Sequence, residues 1–182
     1  MNIINRSRIY LFFLCISFNS CKKDKTEPTE ISKLPAATQT GANTFGCLVN
    51  GTVFKNVGFD GSNSNFRLLV DPTFQNGSFQ IRVYSFENSK YQRININSND
   101  ISNIGVFNVI GNNGPLFIDY SNENGTCNFN QSANCYLKGN LNITRYDISN
   151  GIFSGTFQFV IKDPNFSCDT IRITEGRFDK KL

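Results

Sequence analysis

Apolar and polar side chains alternate with a period of two in several short segments, and this pattern constrains the fold more than any other feature of the chain. In TFQFVIKD, Phe157, Phe159 and Ile161 fall on one face, and Gln158 and Lys162 fall on the other. Successive side chains of a β-strand point to opposite faces, so the segment predicts a strand with one buried and one wet surface. Antiparallel sheets tolerate a wet face, whereas parallel sheets are covered on both. The pattern therefore favours an antiparallel sheet.

Strand patterns of this kind follow one another from residue 44 to the end of the chain. CLVNGTVF places Asn50 and Gly51 between two apolar runs, which predicts a two-residue hairpin loop. Eight further strands are predicted, at Phe66–Val70, Phe79–Phe86, Arg93–Ile96, Val106–Ile110, Leu116–Tyr120, Tyr136–Arg145, Ile152–Ile161 and Thr170–Phe178. We expect residues 44–182 to form a single all-β domain, an antiparallel β-sandwich of about ten short strands, with a closed up-and-down β-barrel as the alternative.

Two local features interrupt this strand pattern. Gly176 lies inside an otherwise regular strand, which predicts a β-bulge or a close approach of another chain segment. The residues from Glu87 to Tyr91 are expected to form a single helical turn.

The first twenty residues have the pattern of an export signal. Arg6 and Arg8 precede an apolar run of about ten residues, about half of what a membrane-spanning helix needs. Cys21 follows Ser20 directly after this run, where a bacterial lipoprotein signal places the cysteine that becomes acylated, whereas Cys15 lies inside the run. We therefore expect residues 1–20 to be a lipoprotein signal peptide and Cys21 to be the lipidated residue. The alternative is an ordinary secretory signal with an incidental cysteine.

The residues after Cys21 read KKDKTEPTEISKLPAATQTGAN and contain little that could be buried. Such a segment gains too little from burial to offset its ordering entropy, so residues 21–43 are expected to form the lipid anchor and a flexible tether, with a reach of about 25 Å. Acyl chains on Cys21 would make the membrane its first partner. The expected location is the cell envelope, on the outer membrane, either periplasmic or surface-exposed.

Four cysteines remain in the domain, and an even number in an oxidising compartment suggests two disulfides. Of the three arrangements that four cysteines allow, we prefer Cys127 with Cys135 and Cys47 with Cys168. A zinc site is disfavoured because the chain has no C-x-x-C pair and no histidine. No metal and no cofactor are expected.

The charge of the chain argues against a nucleic-acid partner. Without Arg6 and Arg8, 16 basic and 14 acidic side chains remain, and the basic ones are scattered along the sequence. Nucleic-acid binding needs Lys and Arg clustered on one face.

The lack of histidine also removes the commonest catalytic base, so a Ser-His-Asp or Cys-His arrangement cannot be built. A pair of carboxylates could still act in glycan hydrolysis, and the candidates are Asp119, Glu123, Asp147, Asp163 and Glu175. Isolated surface acids are the favoured interpretation of these residues. GNNGP (Gly111–Pro115) lacks the ending of a phosphate-binding loop, and FDGSNSNF around Asp60 lacks the acidic ligands of an EF-hand, so we predict a turn and a plain loop.

The tyrosines allow two interpretations. Tyr84, Tyr91, Tyr120, Tyr136 and Tyr146 could form a surface on which sugars stack, or they could cap the core with the hydroxyl in water. The second arrangement is the more usual one for tyrosine, and we prefer it.

Three stretches, LPAATQTGANTFGCLVNG (Leu34–Gly51), SGTFQF (Ser154–Phe159) and ITEGRFD (Ile173–Asp179), resemble a family of small Bacteroidetes lipoproteins of unknown function. The resemblance implies an envelope lipoprotein and assigns no catalytic or binding residue beyond Cys21. We therefore expect a non-enzymatic binding or structural module whose ligand is a glycan or a protein, bound through loops at one end of the domain. A lipocalin-like carrier of a small apolar ligand and a carboxylate-based hydrolase are the alternatives.

Overall fold

The chain forms two antiparallel sheets that pack face to face. The computed structural model describes residues 29–58, 64–87, 90–111, 114–122, 136–162 and 170–182. These residues contain a 3₁₀ turn (Glu30–Lys33) and ten strands, which are β1 (Thr44–Val49), β2 (Thr52–Lys55), β3 (Phe66–Asp71), β4 (Ser78–Glu87), β5 (Lys90–Ser98), β6 (Gly105–Ile110), β7 (Leu116–Asn122), β8 (Tyr136–Asp147), β9 (Ile152–Lys162) and β10 (Ile171–Lys181). One sheet has the order β2-β1-β10-β9-β8-β6, and the other has the order β3-β4-β5-β7. The predicted β-sandwich is confirmed, and the barrel alternative is wrong because the sheets do not close on one another.

The hairpin and the bulge lie where the sequence predicts them. Asn50 and Gly51 have φ angles of 49° and 84°, and they join Val49 to its partner Thr52. The pairing of β10 with β9 shifts register between Ile173 and Gly176. A Cβ atom on Gly176 would lie 2.4 Å from the ring of Phe157, so glycine is needed where the two strands approach.

One local prediction is wrong. Glu87 ends β4 and Lys90 begins β5, and the two residues are paired across the hairpin. The expected helical turn near Glu87–Tyr91 is therefore a β-hairpin, because the alternating pattern of both strands continues up to the connection.

Phenylalanine rings join the two sheets in the core. Phe45 of β1 lies with its ring centroid 5.9 Å from Phe54, 5.7 Å from Phe66 and 5.3 Å from Phe157. Phe66 belongs to the four-stranded sheet, whereas the other three belong to the six-stranded sheet. Full burial of one such ring contributes about 1.5–3 kcal/mol, so this cluster is a large part of what holds the sheets together.

Residues 29–43 form a segment that we call the N-terminal strap, and it differs from the flexible tether expected there. At one end the backbone N–H of Val53 donates to Glu30 Oε2 over 3.1 Å. In the middle, Leu34 and Pro35 cover Gly46, where a Cβ atom would lie 2.5 Å from Pro35 Cδ. The strap thus runs over the outer face of the six-stranded sheet before the chain enters β1.

The other end of the strap is fixed by Asp179, whose residue is 1% exposed. Its carboxylate accepts hydrogen bonds from the hydroxyls of Thr38 and Ser154, both at 2.6 Å, and from the backbone N–H groups of Thr40, Gly41 and Ala42 at 2.8 to 3.1 Å. Burial alone would raise the pKa of Asp179, but these hydrogen bonds outweigh it and hold that pKa well below its ordinary value.

Within the described residues, no helix has the length and hydropathy to cross a bilayer.

Candidate functional site

The outer face of the four-stranded sheet carries an unusual set of polar and aromatic side chains. Along β4, Ile81 and Val83 are fully buried in the core, so Arg82 and Tyr84 point to the opposite face. The registers of the other strands place partners beside them. We call the resulting surface the arginine–tyrosine face, and it consists of Arg67, Gln80, Arg82, Tyr84, Tyr91, Arg93, Asn95, Asn97 and Asp119.

Two of its arginines lie directly opposite one another. Arg67 of β3 is the register partner of Arg82 of β4, which brings their Cβ atoms within about 4.5–5.5 Å. Neither forms a salt bridge with any residue that the structure describes. Like charges in directly opposed positions destabilise a sheet, so the fold retains this pair at a cost.

Several buried polar atoms on the face lack a hydrogen-bond partner. Among the described residues, six buried side-chain nitrogen or oxygen atoms have none, and four of the six lie here: Nε of Arg82, Nε of Arg93, Oδ1 of Asn95 and Oδ1 of Asn97. Asn95 is only 7% exposed. Buried polar groups in folded proteins are nearly always hydrogen-bonded, so such a concentration on one surface indicates where a ligand would supply the missing partners.

Asp119 provides the negative charge at the β7 side of the face. It is the register partner of Asn95 and lies diagonally from Arg93. Partial burial raises the pKa of Asp119, against the opposing effects of its hydrogen bond with Asn95 and the positive charge of Arg93. The face is thus basic toward β3 and acidic toward β7.

Aromatic and aliphatic groups border these charges. The rings of Tyr84 and Tyr91 are tilted by 36° with centroids 5.6 Å apart, and both residues are partly exposed. Leu69 on β3, Phe86 at the end of β4 and Phe117 on β7 are 56%, 41% and 39% exposed on the same side of the sheet. Aromatic side chains next to polar groups that can hydrogen-bond are typical of binding surfaces.

A second surface lies on the opposite side of the molecule. A groove of about 490 Å³ crosses the outer face of the six-stranded sheet, and Asn108, Asn140 and Gln158 form a row of amides along it. Lys138 and Arg172 also line this groove. Within the described residues its side chains contribute no buried polar atom that lacks a partner. We therefore take the arginine–tyrosine face as the candidate site.

Most of the cysteines singled out from the sequence lie outside the described residues. This holds for the lipidation residue Cys21 and for Cys127, Cys135 and Cys168. Cys47 is described as a free thiol with no exposed surface, and burial strongly raises its pKa. The pairings Cys127–Cys135 and Cys47–Cys168 stay predictions.

The candidate carboxylates do not come together in the described part of the chain. Asp147 pairs with Arg145 at 2.8 Å, and Glu175 pairs with Arg177 at 3.1 Å, while Asp119 lies on the other sheet. The hydrogen bonds from Arg145 and Asn150 lower the pKa of Asp147 to about 2, so this group is an ordinary surface ion. Glu123 and Asp163 are outside the described residues, as is most of the loop around Asp60.

Metal-binding groups are also missing from the described residues, where no three His, Cys, Asp or Glu side chains are close enough to hold an ion. Gly111 of GNNGP lies in a turn with φ of 71°, as predicted for that segment.

The preferred interpretation of the tyrosines is right only for the rings of Tyr120 and Tyr146, which pack in the core. Tyr120 is 3% exposed, Tyr146 packs edge-on against Phe153, and the hydroxyl of Tyr146 is buried, so these hydroxyls do not lie in water as expected. Tyr84 and Tyr91 instead lie on the arginine–tyrosine face, and Tyr136 is 44% exposed on the other sheet. Tyr84 and Tyr91 therefore have the surface position that the sugar-stacking alternative required.

Sequence reasoning missed the arginines and asparagines of the face. FQIRVYSF and YQRININ do contain a signal, because Arg82, Arg93 and Asn95 occupy the polar positions of alternating strands. The signal does not say which strands are neighbours, and only the register brings these residues together.

The comparisons with known proteins found no match for the chain among protein-family models, curated proteins or solved structures. Its function is therefore inferred from the residues of the chain itself.

Proposed function

We propose that this chain is a non-enzymatic binding module of the bacterial cell envelope, held on the outer membrane by acylated Cys21, and that it binds its ligand on the arginine–tyrosine face. The proposed anchor is supported by the leader, in which Arg6 and Arg8 precede a short apolar run and Cys21 comes after it. The resemblance of Leu34–Gly51, Ser154–Phe159 and Ile173–Asp179 to small Bacteroidetes lipoproteins supports the same placement.

The observation that carries the proposal is the group of unpartnered polar atoms on this face. Leaving a buried donor or acceptor unpaired costs about 1–3 kcal/mol. Four such atoms on one sheet surface would be a large cost to a domain whose stability is of the order of 5–15 kcal/mol. A ligand that offers both donors and acceptors would recover that cost on binding.

The shape of the surface favours an extended ligand. The four-stranded sheet presents a side-chain surface rather than an enclosed pocket, with aromatic rings and charges spread over four strands. The lipocalin-like alternative depended on a closed barrel, which this sandwich does not form. The predicted use of end loops is replaced by the sheet face because the unpartnered groups lie there.

The test is retention of the protein by soluble polysaccharides in native gels. The protein, produced from its full-length gene and purified in a non-ionic detergent, is compared with Tyr84→Ala, and Tyr136→Ala serves as the matched control from the other sheet. We expect a polymer that retards the wild-type protein to retard Tyr136→Ala equally and Tyr84→Ala about tenfold less, since a stacked aromatic contributes about 1–3 kcal/mol. Retardation that depends on Tyr136 and not on Tyr84 would place the ligand elsewhere and contradict the proposal.

A further inference from the structure

We infer that the ligand of the arginine–tyrosine face is an acidic polysaccharide, whose carboxylate or sulfate groups accept hydrogen bonds from Arg67, Arg82 and Arg93. This inference rests on the proposed function and adds the charge and the chemical class of the ligand. The relevant basic residues lie on the side of the face nearest β3.

The first step is the uncompensated positive charge. Arg67 and Arg82 are direct cross-strand partners, and neither has a carboxylate within salt-bridge distance among the described residues. Elsewhere in the described chain the arginines Arg145 and Arg177 each hold an acid two residues away. An anion between Arg67 and Arg82 would turn a repulsive pair into two attractive contacts.

The second step is the kind of anion. A guanidinium group is a planar fork of N–H donors that matches the two oxygens of a carboxylate or the oxygens of a sulfate. The Nε atoms of Arg82 and Arg93 are buried donors without a partner, so each of these two guanidinium groups has at least one donor that an anion could bind. Arg93 lies on the neighbouring strand, diagonally from Arg82, which gives positive charge on three successive strands about 4.8 Å apart.

The third step concerns the uncharged groups of the ligand. Oδ1 of Asn95 and Oδ1 of Asn97 are buried acceptors that lack a donor, and hydroxyl groups would supply one. The partly exposed rings of Tyr84 and Tyr91 offer a surface for an apolar ring face. Charge, hydroxyls and a flat apolar face occur together in a sugar that carries an acid group, and they repeat along an acidic polysaccharide.

Asp119 limits where the anion can lie. Its carboxylate lies beside Asn95 and near Arg93, so an anionic chain would be repelled from the β7 side and held toward β3 and β4. A nucleic acid or an acidic peptide also carries anions, but the two amide acceptors and the acid at the edge of the face favour a hydroxyl-rich polymer.

The experiment compares polymers that differ only in charge. The purified full-length protein is run in native gels that contain polygalacturonate or its methyl ester, and dextran sulfate or dextran. We expect polygalacturonate or dextran sulfate to retard it, and the uncharged partner of each pair to have little effect. The anionic polymer that acts identifies the anion as a carboxylate or a sulfate. About 1 M NaCl, where the screening length is about 3 Å, should abolish the effect.

Variants locate the binding. We expect Arg67→Gln/Arg82→Gln to weaken retardation by an acidic polymer about tenfold or more, and the matched control Arg172→Gln, from the groove on the other sheet, to leave it unchanged. Circular dichroism confirms that each variant is folded. An equal loss in Arg172→Gln would place the anion on the other sheet and overturn the inference.

Other outcomes separate this inference from the proposed function. If the methyl ester or dextran binds as tightly as its charged partner, and Tyr84→Ala weakens that binding, the proposed function stands and the inference of an acidic ligand is overturned. If duplex DNA or polyglutamate binds as tightly as both acidic polysaccharides, with the same dependence on Arg67 and Arg82, the polysaccharide class is overturned. Retention by no polymer overturns both.

Discussion

At the scale of single residues, Asp179 shows how one carboxylate can organise a distant segment. It is almost fully buried, yet six donors from the N-terminal strap and from β9 surround it. Burial of a charge is costly, but several hydrogen bonds to the charged form compensate for it. Asp179 therefore holds the strap only while it is ionised.

We predict that Asp179→Asn lowers the free energy of unfolding by about 2–4 kcal/mol at neutral pH. The substitution removes charge-assisted hydrogen bonds, and the side-chain NH2 group of asparagine, itself a donor, would face the donor N–H groups of the strap. The folded-state pKa of Asp179 lies below its ordinary value of 3.8, so its contribution is complete above that pH and is lost as the pH falls through the folded value. Urea unfolding between pH 7 and pH 2 measures both effects, and the stability of Asp179→Asn should fall less steeply in acid.

The control for this prediction is Asp147→Asn. Asp147 also has a lowered pKa, but it bonds an arginine and an asparagine at the surface, so its replacement should cost much less. Equal losses in the two variants would show that the strap contacts of Asp179 add nothing to stability.

At the scale of secondary-structure elements, the strands were readable from the sequence and their neighbours were not. The alternation in β4, β9 and β10 and the Asn50–Gly51 hairpin are local signals that the final structure preserves. The pairing of β3 with β4 and of β5 with β7 is set by packing across the core, which single-sequence patterns do not contain. The arginine–tyrosine face exists only because of those pairings, so it could not be predicted.

We predict that Arg67→Thr stabilises the domain and weakens ligand binding. The substitution removes one partner of a like-charged cross-strand pair and introduces a residue that suits strands, so the free energy of unfolding should rise by about 0.2–1 kcal/mol at low ionic strength. The gain should shrink in high salt because screening already reduces the repulsion. Urea denaturation at two salt concentrations measures it.

Arg172→Thr is the matched substitution. Arg172 lies opposite Val160, so no like charge is relieved there, and we expect a change within about 0.5 kcal/mol. If Arg67→Thr gives no gain over this control at low salt, the opposed arginines are not in conflict.

At the scale of the whole molecule, the N-terminal strap would change how far the domain can lie from the proposed anchor at Cys21. The composition of residues 22–43 predicted a flexible tether of about 22 residues, because prolines and charged side chains give little to bury. Composition cannot show that Asp179, which is distant in the sequence, accepts hydrogen bonds from residues 38–42. If Cys21 is the anchor, seven residues (22–28) lie between it and Thr29. A coil of seven residues reaches about 15 Å rather than about 25 Å.

We predict that the thiol of Cys47 reports unfolding of the entire domain. It has no exposed surface and its pKa is strongly raised by burial, so alkylation requires the two sheets to separate. The urea concentration at which mass spectrometry finds half of Cys47 alkylated should match the midpoint measured by far-ultraviolet circular dichroism. Labelling well below that midpoint would show that a local opening exposes the core.

The same experiment examines the predicted bridge. The structure describes Cys47 as a free thiol, and labelling of Cys47 in unfolded protein without reductant would rule out the predicted bridge to Cys168. A Cys47 that stays unlabelled until reductant is added would instead support its pairing with Cys168.

If Cys21 is acylated as proposed, the strap also gives the domain a polarity with respect to the bilayer. The side chain of Glu30 accepts a hydrogen bond from the backbone N–H of Val53, near the Asn50–Gly51 turn. The backbone N–H of Leu182 donates to the carbonyl of Gly151 at the opposite end of the same sheet. A chain that entered directly at Thr44 would begin beside Asp179, at the end of the sheet where the carboxyl terminus lies. Because the strap carries the entry point along the length of β1, an acylated Cys21 would place the bilayer nearer the Asn50–Gly51 end of the sheet. We would then expect a reporter fused to the carboxyl terminus to project away from the membrane.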